Sequence, residues 1–269
     1  MKNLEISSNE HGVSESIGFM LIFTIVIAGI ALVTLYGYPL LLQQQVSADE
    51  KIMEKNMIVL QNDIKSLAYK TVPFKETSLK IGGGSLTVHD SLSPSPPSST
   101  STISIYQTVP GIEYYIESFK PGELRYESVS AQTDISLQNG AVVLRPRIQP
   151  GSVMLAEPRW FYDGPTNTMV INLINITSDT IMAKEGIGTV RMKLVGEPYY
   201  NETTFAVPPT IYLQYTTDPA QNYYVAWDNY FTEELNMIET GTGIYKLPIN
   251  ATYPGRLVIK KFEVEIQAI

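Results

Sequence analysis

Few residues in this chain have the types and spacing that catalysis or metal binding requires. The sequence contains no cysteine and only two histidines, His11 and His89, among 269 residues. The lack of cysteine excludes disulfides, zinc–thiolate sites and thiol nucleophiles, and a histidine metal centre or a Ser-His-Asp triad would depend on one of the two histidines. A paired-carboxylate hydrolase would have to use acids such as Asp134, Glu233 and Glu234. Nothing in the sequence brings these acids together, so we expect solvated surface acids and no catalytic residue.

The glycine-rich segments lack the spacing of nucleotide-binding loops. Gly186-Ile187-Gly188 and Gly241-Thr242-Gly243 both lack the third glycine of a dinucleotide-binding fingerprint. The sequence also has no Walker loop and no acidic ladder of an EF-hand. Its formal net charge is −8 and it has no basic run, which disfavours binding to a phosphate backbone. We therefore expect a protein that is not an enzyme, with no cofactor, no metal and no nucleic-acid partner.

The most informative feature is a stretch without charge that runs from Ser16 to Ala48. Its apolar core, Ile17–Leu35, would rise about 28 Å as a helix, close to the thickness of the hydrocarbon core of a bilayer. The apolar region of a cleaved secretory signal is shorter, at about 7–15 residues, and a buried core helix rarely has apolar residues on every face. We predict a membrane span over about residues 17–38, with Tyr36 and Tyr38 as anchors at the interface.

Two further features concern the end and the direction of this span. Pro39 cannot donate a backbone N–H, so we predict a kink or break near Tyr38–Pro39. Lys51 and Lys55 follow the span closely, and a count of basic residues alone would leave the C-terminal part in the cytoplasm. Long domains translocate largely regardless of nearby charge, so the charge pattern leaves the orientation open.

The residues that lead into the span read Gly12-Val13-Ser14-Glu15-Ser16-Ile17-Gly18-Phe19. This segment resembles the N-terminal signature of archaeal type IV pilin-like proteins, in which a small residue and a short polar step precede an uninterrupted apolar helix. The resemblance implies a class III signal peptide that a prepilin peptidase cuts between Gly12 and Val13. Residues 1–12 would be the leader, and the apolar helix would stay in the mature protein. The segment is also similar to a group of archaeal membrane-anchored proteins with a β-rich outer part.

Three residues near this signature are candidates for assembly. A new amine at Val13 would lie near the carboxylate of Glu15 or of a neighbouring copy, and pairing the two charges would offset part of the cost of burying them. Such a pair would fix the axial register of packed helices. The alternative is that Glu15 lies among the lipid head groups. Gly18 and Gly29 would permit close approach of helices in lipid.

After Gln43 the chain becomes polar but keeps a helical spacing of apolar residues. The stripe has a coiled-coil-like pattern, with most charges off it, and comprises Val46, Met53, Met57, Leu60, Ile64 and Leu67. It would pack either on the protein's own β-domain or on neighbouring helices in a filament or bundle. We favour its own domain, because one apolar stripe usually covers one surface. The N-terminal helix is thus predicted over 13–72, with the polar stripe helix at 43–70 and an end before Pro73.

From residue 73 to 269 the pattern indicates a β-rich domain. Short apolar or alternating runs recur between Gly, Pro and Asn turns, which favours a mainly antiparallel β-sandwich-like fold. At the C-terminus, apolar Phe262, Val264 and Ile266 alternate with polar residues, as in a half-buried strand. The fold class is therefore α+β, a long N-terminal transmembrane and coiled-coil-like helix followed by this domain.

Three local features of the β-rich part carry separate predictions. The strands on either side of Gly82-Gly83-Gly84 predict a hairpin. The Ser/Pro-rich segment at 91–101 predicts a surface loop. Pro219–Leu235 has aromatic residues at helical spacing, so we predict one short helix whose aromatic face packs in the core.

Three Asn-x-Thr sequons occur in the same part of the chain, at Asn175, Asn201 and Asn250. They are candidate glycosylation sites only if this part leaves the cytoplasm. They agree with the pilin-like signature in placing the domain outside the cell.

These observations lead to three hypotheses of different class. The first is a non-enzymatic archaeal pilin-like surface glycoprotein, whose helix anchors it in membrane lipid and packs in a filament. Its partners would be a prepilin peptidase and copies of itself or other pilin-like subunits. The alternative is a stand-alone single-pass ectodomain that binds a ligand or an envelope component without polymerising. An anchored extracytoplasmic hydrolase is the third and least favoured.

Overall fold

The computed structural model describes residues 10–70, 72–91, 101–109, 112–217 and 222–269, with the side chains of residues 10–15 and of Val109 left undescribed. The chain divides into two compact units, Met1–Ala48 and Asp49–Ile269. The second unit therefore begins within a helix and not at the first strand. Most of the predicted leader and most of the Ser/Pro-rich segment at 91–101 lie outside the described residues.

The N-terminal part is helical in three consecutive elements. Helix α1 comprises Glu10–Leu32, a π-helical turn follows at Val33–Gly37, and helix α2 comprises Tyr38–Tyr69. The predicted end before Pro73 is confirmed. Near Tyr38–Pro39, where a kink or break is predicted, the helix is not broken, but its α-helical hydrogen bonding is interrupted by the π-helical turn just before Pro39. A proline ring clashes with the carbonyl four residues earlier in a regular α-helix. The wider π turn, in which Tyr38 N–H donates to Val33 O, changes the hydrogen bonding just before Pro39 and lets the helix continue.

The second unit consists of α2 from Asp49 onward, fourteen strands in the described residues, and a short helix. The strands are β1 (Phe74–His89), β2 (Thr102–Val109), β3 (Ile112–Phe119), β4 (Glu123–Ser128), β5 (Thr133–Gln138), β6 (Ala141–Pro146), β7 (Val153–Ala156), β8 (Phe161–Asp163), β9 (Thr168–Thr177), β10 (Ala183–Phe205), β11 (Ile211–Thr216), β12 (Ile238–Gly241), β13 (Ile244–Lys246) and β14 (Gly255–Ala268). Helix α3 is Tyr224–Asn229, and a π-helical segment, Tyr230–Glu234, follows it.

The strands form two sheets. The larger has nine strands in the order β7-β6-β5-β4-β1-β10-β14-β9-β8, and the smaller has five in the order β12-β13-β11-β2-β3. All the strand pairs are antiparallel except β9–β14, which is parallel. The fold class predicted from the sequence, α+β with a mainly antiparallel β-domain and one short helix, is confirmed.

The predicted hairpin at Gly82–Gly84 is wrong, because β1 runs straight through these glycines. The register of β1 with β10 shifts between Ile81 and Leu86, so the glycines form an irregularity within one strand. Gly83 has a φ of +65°, and a Cβ on Gly84 would lie 2.3 Å from the carbonyl oxygen of Glu127. The three glycines therefore permit a close approach of neighbouring atoms and not a chain reversal.

The nine-stranded sheet is covered on both faces. On one face lies α2, whose residues Met53, Met57, Leu60 and Ile64 are fully buried against the sheet, and Leu67 is 1% exposed. The hypothesis that the stripe packs on the protein's own domain is confirmed for these residues. Polar contacts add to the apolar ones, since the buried amide of Gln61 donates to Gly140 O at 2.7 Å and to Glu157 O at 2.8 Å.

On the opposite face, the five-stranded sheet and α3 enclose a second core. Side chains alternate between the two faces of a strand, so one strand contributes to both cores. In β9, Ile171 and Leu173 belong to this second core. Ile174 and Ile176 belong to the core under α2. Trp227, Phe231 and Tyr230 pack here with Trp160, as predicted for the aromatic face of the short helix. The three layers are thus a helix, a large sheet, and a small sheet with its helix.

Candidate functional site

The first unit presents an apolar surface on all sides of its helix. From Ser16 to Leu42, every side chain is exposed in the described structure, apart from the half-buried Gly37. The helical stretch Ser16–Tyr69 is the one helix of the described residues that is long and apolar enough to cross a membrane, by length and composition. A contiguous apolar surface of this size is rarely left exposed to water, and it is characteristic of a site that contacts another protein or a membrane.

The predicted processing and assembly residues all fall within this unit. Gly12, Val13 and Glu15 lie within the bounds of α1, but their side chains are outside the described part of the structure. Gly18 and Gly29 are also in α1, and a Cβ built on either would have no described atom within 4 Å. They are eleven residues apart, about three helical turns, so both lie on nearly the same face of the helix.

The three sequons differ in their surroundings. Asn250 is exposed, in a turn where its side-chain oxygen accepts a hydrogen bond from Thr252 N–H at 2.8 Å. Asn201 is half-buried in β10. Asn175 is half-buried in β9, and its side-chain oxygen accepts a hydrogen bond from Gly122 N–H at 3.1 Å. Of the three, Asn250 is the most accessible acceptor for a glycan.

Asp134 is not the solvated surface acid that the sequence predicted. It is 3% exposed, in β5, and its two carboxylate oxygens pair with different arginines: Oδ2 with Arg145, and Oδ1 with Arg147 Nη2 at 2.6 Å. Both oxygens of this carboxylate are therefore occupied by arginine side chains. Glu233 and Glu234, by contrast, are exposed in the π-helical segment after α3, as predicted.

A second buried pair lies on the neighbouring strand. Glu123 and Arg125 of β4 form an ion pair in which both side chains are at most 2% exposed, and Glu123 Oε2 accepts a hydrogen bond from Ser136 at 2.5 Å. His89 of β1 is paired with Glu123 in the sheet register and is 5% exposed. Burial, and secondly the charge of Arg125, lower the pKa of His89 to about 3. The imidazole is therefore neutral at physiological pH.

These buried charges are not predicted by the sequence, because the pattern of β5 indicates a solvated face. Asp134, Ser136 and Gln138 alternate with Ile135 and Leu137, which is typical of a strand with one face in water. In this fold the polar face is buried as well. The described residues include no group of three or more His, Asp or Glu side chains that could hold a metal ion.

Together, the described residues define a class of protein. It has an N-terminal helix long and apolar enough to span a membrane, and a mostly antiparallel β-domain with one short helix. The chain belongs to DUF7289, a family of unknown function, whose model matches residues 11–267. The match includes the apolar helix together with the β-rich unit. No curated protein and no solved structure matches the chain.

Proposed function

We propose that this protein is a non-enzymatic archaeal cell-surface protein of the pilin-like type. Its N-terminal helix anchors it in the membrane and takes part in filament-type assembly, and its β-domain makes contacts outside the cell. The observation that carries this proposal is the apolar surface on every side of the helix from Ile17 to Leu42. Such a helix needs lipid, or neighbouring apolar helices, around its whole circumference.

Processing is the first step of the proposed function. A prepilin peptidase would cut between Gly12 and Val13 and leave the apolar helix at the new N-terminus. The amine of Val13 would pair with the carboxylate of Glu15 in the same or a neighbouring copy. The pairing would offset part of the cost of placing both charges in an apolar environment.

Helix association is the second step. Gly18 and Gly29 lie on nearly one face of α1 and have open space beside them, so that face would allow another helix to approach closely. Association of helices in lipid depends on such close packing, because lipid tails are as apolar as leucine. Gly18 and Gly29 are therefore the proposed contact positions between copies.

N-terminal sequencing of the native protein tests the processing step. We expect the sequence to start at Val13, and the Gly12→Val variant to keep Met1. A matched Gly18→Val variant should still be cut, since it changes a glycine to the same residue beyond the cleavage point. Native protein that starts at Met1 would exclude processing.

Shearing of cells tests assembly separately. We expect filaments containing the protein in the sheared fraction, and fewer of them with Glu15→Gln or with Gly18→Val. Protease added to intact cells should digest the β-domain, which tests its location outside the cell. Full-length protein that stays in the membrane fraction as a monomer would overturn the assembly part of the proposal.

A stand-alone anchored ectodomain is the second candidate, and one observation favours it. The apolar stripe from Met53 to Leu67 is buried against the protein's own sheet. Those residues therefore do not face neighbouring copies, and any contact between helices would have to use the apolar unit before Asp49. A processed protein that never appears in filaments would support this alternative.

A further inference from the structure

A groove with basic and aromatic walls lies on the helix-bearing face of the nine-stranded sheet. Its volume is about 840 Å³, within the range of ligand pockets in proteins. The floor is formed by β9 and β14, and Tyr69 at the end of α2 stands at one side. All of its lining residues belong to the second unit.

The groove begins where the helical cover ends. Along β14, the residues that face α2 are apolar and buried, as at Phe262, Val264 and Ile266. Because side chains alternate along a strand, Lys260 and Arg256 lie on the same face, further from the helix. Beyond the end of α2, this face of β14 therefore carries two basic residues, with the buried Val258 between them.

The cations of the groove are held on aromatic rings. The Arg159 guanidinium lies 4.9 Å from the centre of the Tyr69 ring, and the Lys260 ammonium lies 5.5 Å from the centre of the Tyr200 ring. Such contacts fix the position of a cation without neutralising its charge. Among the described residues, neither Arg159 nor Lys260 has a carboxylate within ion-pair distance.

The third cation and the one acid of the lining are already engaged. Arg256 pairs with Glu202 at 3.1 Å, and Asp163 accepts a hydrogen bond from Thr166. Thr166 is neutral, so its hydrogen bond leaves the negative charge of Asp163 in place. The described lining therefore carries three cations and one anion, and Arg159 and Lys260 are the two cations that are not paired with a carboxylate.

Flat aromatic surfaces are exposed in the same groove. Phe161 is 46% exposed and Tyr200 is 54% exposed, and Thr166 and Thr168 add hydroxyl groups beside them. A sugar ring has apolar C–H faces that pack on aromatic rings and hydroxyls that need hydrogen-bonding partners. An acidic sugar adds a carboxylate, which suits Arg159 and Lys260.

We propose that this groove binds an acidic oligosaccharide, with Arg159 and Lys260 holding its carboxylates and Phe161 and Tyr200 supporting its rings. This binding is independent of processing and of assembly. Its failure would leave the proposed function unaffected, and loss of filaments would leave this binding unaffected.

The test is calorimetric titration of the full chain, in a neutral detergent, with trigalacturonic acid. We expect measurable binding, and a loss of about tenfold in affinity with Arg159→Gln or Lys260→Gln, as for one charge-assisted hydrogen bond. Arg191→Gln is the matched control, because Arg191 has a half-exposed side chain but is outside the groove. Unchanged binding by both groove variants, or no binding of trigalacturonic acid at all, would overturn the proposal.

Two further probes separate a sugar site from a general acid site. Maltotriose has the same number of sugar units without carboxylates, and triglutamate has carboxylates without sugar rings. We expect both to bind at least about tenfold more weakly than trigalacturonic acid. Phe161→Ser should weaken binding of the sugar acid, whereas Tyr114→Ser, at a similarly exposed aromatic residue of β3, should not. Equal affinity for triglutamate would overturn the assignment to a saccharide.

Discussion

The two units of this chain place the same kinds of residue in opposite environments. In the first unit, Phe19 is 70% exposed and Ile25 is 62% exposed, whereas in the second unit Leu60 and Ile64 are fully buried. The second unit gains stability by removing apolar surface from water within its own fold. In the described residues, the first unit leaves such surface exposed. Apolar composition alone therefore does not distinguish a core from an interface.

What separates the two units in the sequence is the pattern of charge. No charged residue occurs between Ser16 and Ala48, and up to Leu42 apolar residues lie on every face of the helix, so exposing any of these faces to water is unfavourable. From Asp49 onward, charged residues such as Lys51 and Lys55 occupy the exposed positions beside the stripe. From Asp49, where the second unit begins, the helix therefore has one buried apolar face and one exposed charged face.

The largest effect should come from a charge in the buried stripe. We expect Leu60→Asp to destabilise the second unit by at least about 4 kcal/mol, because it leaves a cavity and an unpaired carboxylate in the core. Val59→Asp is the matched control at a position that is 47% exposed, and it should change stability by less than about 1 kcal/mol.

Denaturant unfolding followed by tryptophan fluorescence measures both variants. The two tryptophans of the chain, Trp160 and Trp227, are both buried in the second unit, so their emission reports on that unit. Equal stability of the Leu60→Asp and Val59→Asp proteins would show that the stripe does not support the fold.

A charge in the apolar unit should have a different consequence. Ile25→Asp is expected to make membrane insertion less favourable by about 3 kcal/mol, the cost of an aspartate at the centre of a spanning helix. Tryptophan fluorescence should give the same unfolding midpoint as for the unchanged protein. Ile25→Val is the control, and the fraction recovered with membranes is the measurement. A lowered unfolding midpoint for Ile25→Asp would contradict the separation into two units.

Much of the architecture follows from periodicity in the sequence. The steps between Met53, Met57, Leu60 and Ile64 match one face of a helix, and burial of all four follows once a sheet is available to cover them. The alternation at Phe262–Ile266 likewise predicted a strand with one face in the core. Such patterns are local, so they can be recognised without knowledge of the fold.

The features that the sequence did not predict depend on contacts between distant segments. Gly82–Gly84 has the composition of a turn, but Asp49 packs beside Gly82, and the chain continues as a strand. Asp134 has the alternation of a solvated strand, but its arginine partners are eleven and thirteen residues away. The sequence does not predict the groove for the same reason. Tyr69 and Lys260 are distant in sequence, and the order of strands in the sheet brings them to the same groove.

Buried polar groups of the second unit should make its stability depend on pH. His89 has a pKa of about 3 in the folded protein, lowered from 6.5 mainly by burial. Below about pH 6.5 the unfolded state therefore binds a proton that the folded state does not, and stability falls as the pH is lowered towards 3. The expected loss from His89 between pH 7 and pH 5 is about 2 kcal/mol.

A variant isolates this contribution. Both ring nitrogens of His89 lack a hydrogen-bond partner in the structure, so His89→Leu should fold without leaving a polar partner unsatisfied. We expect this variant to lose about 2 kcal/mol less than the unchanged protein between pH 7 and pH 5. Identical pH dependence of the two proteins would mean that His89 has the same pKa in the folded and unfolded states. His11 is present in both proteins and cancels in the comparison.

The smallest effect should come from an ion pair at the surface of the second unit. Arg191 and Glu76 pair at 3.1 Å, with side chains that are 54% and 43% exposed, so water and salt screen their attraction. We expect Arg191→Gln to change the free energy of unfolding by less than about 1 kcal/mol, measured by denaturant unfolding at low and at high salt. A larger loss that disappears at high salt would show that this surface pair contributes substantially to the stability of the unit. A small effect would agree with a second unit whose stability comes mainly from buried apolar side chains and not from this surface pair.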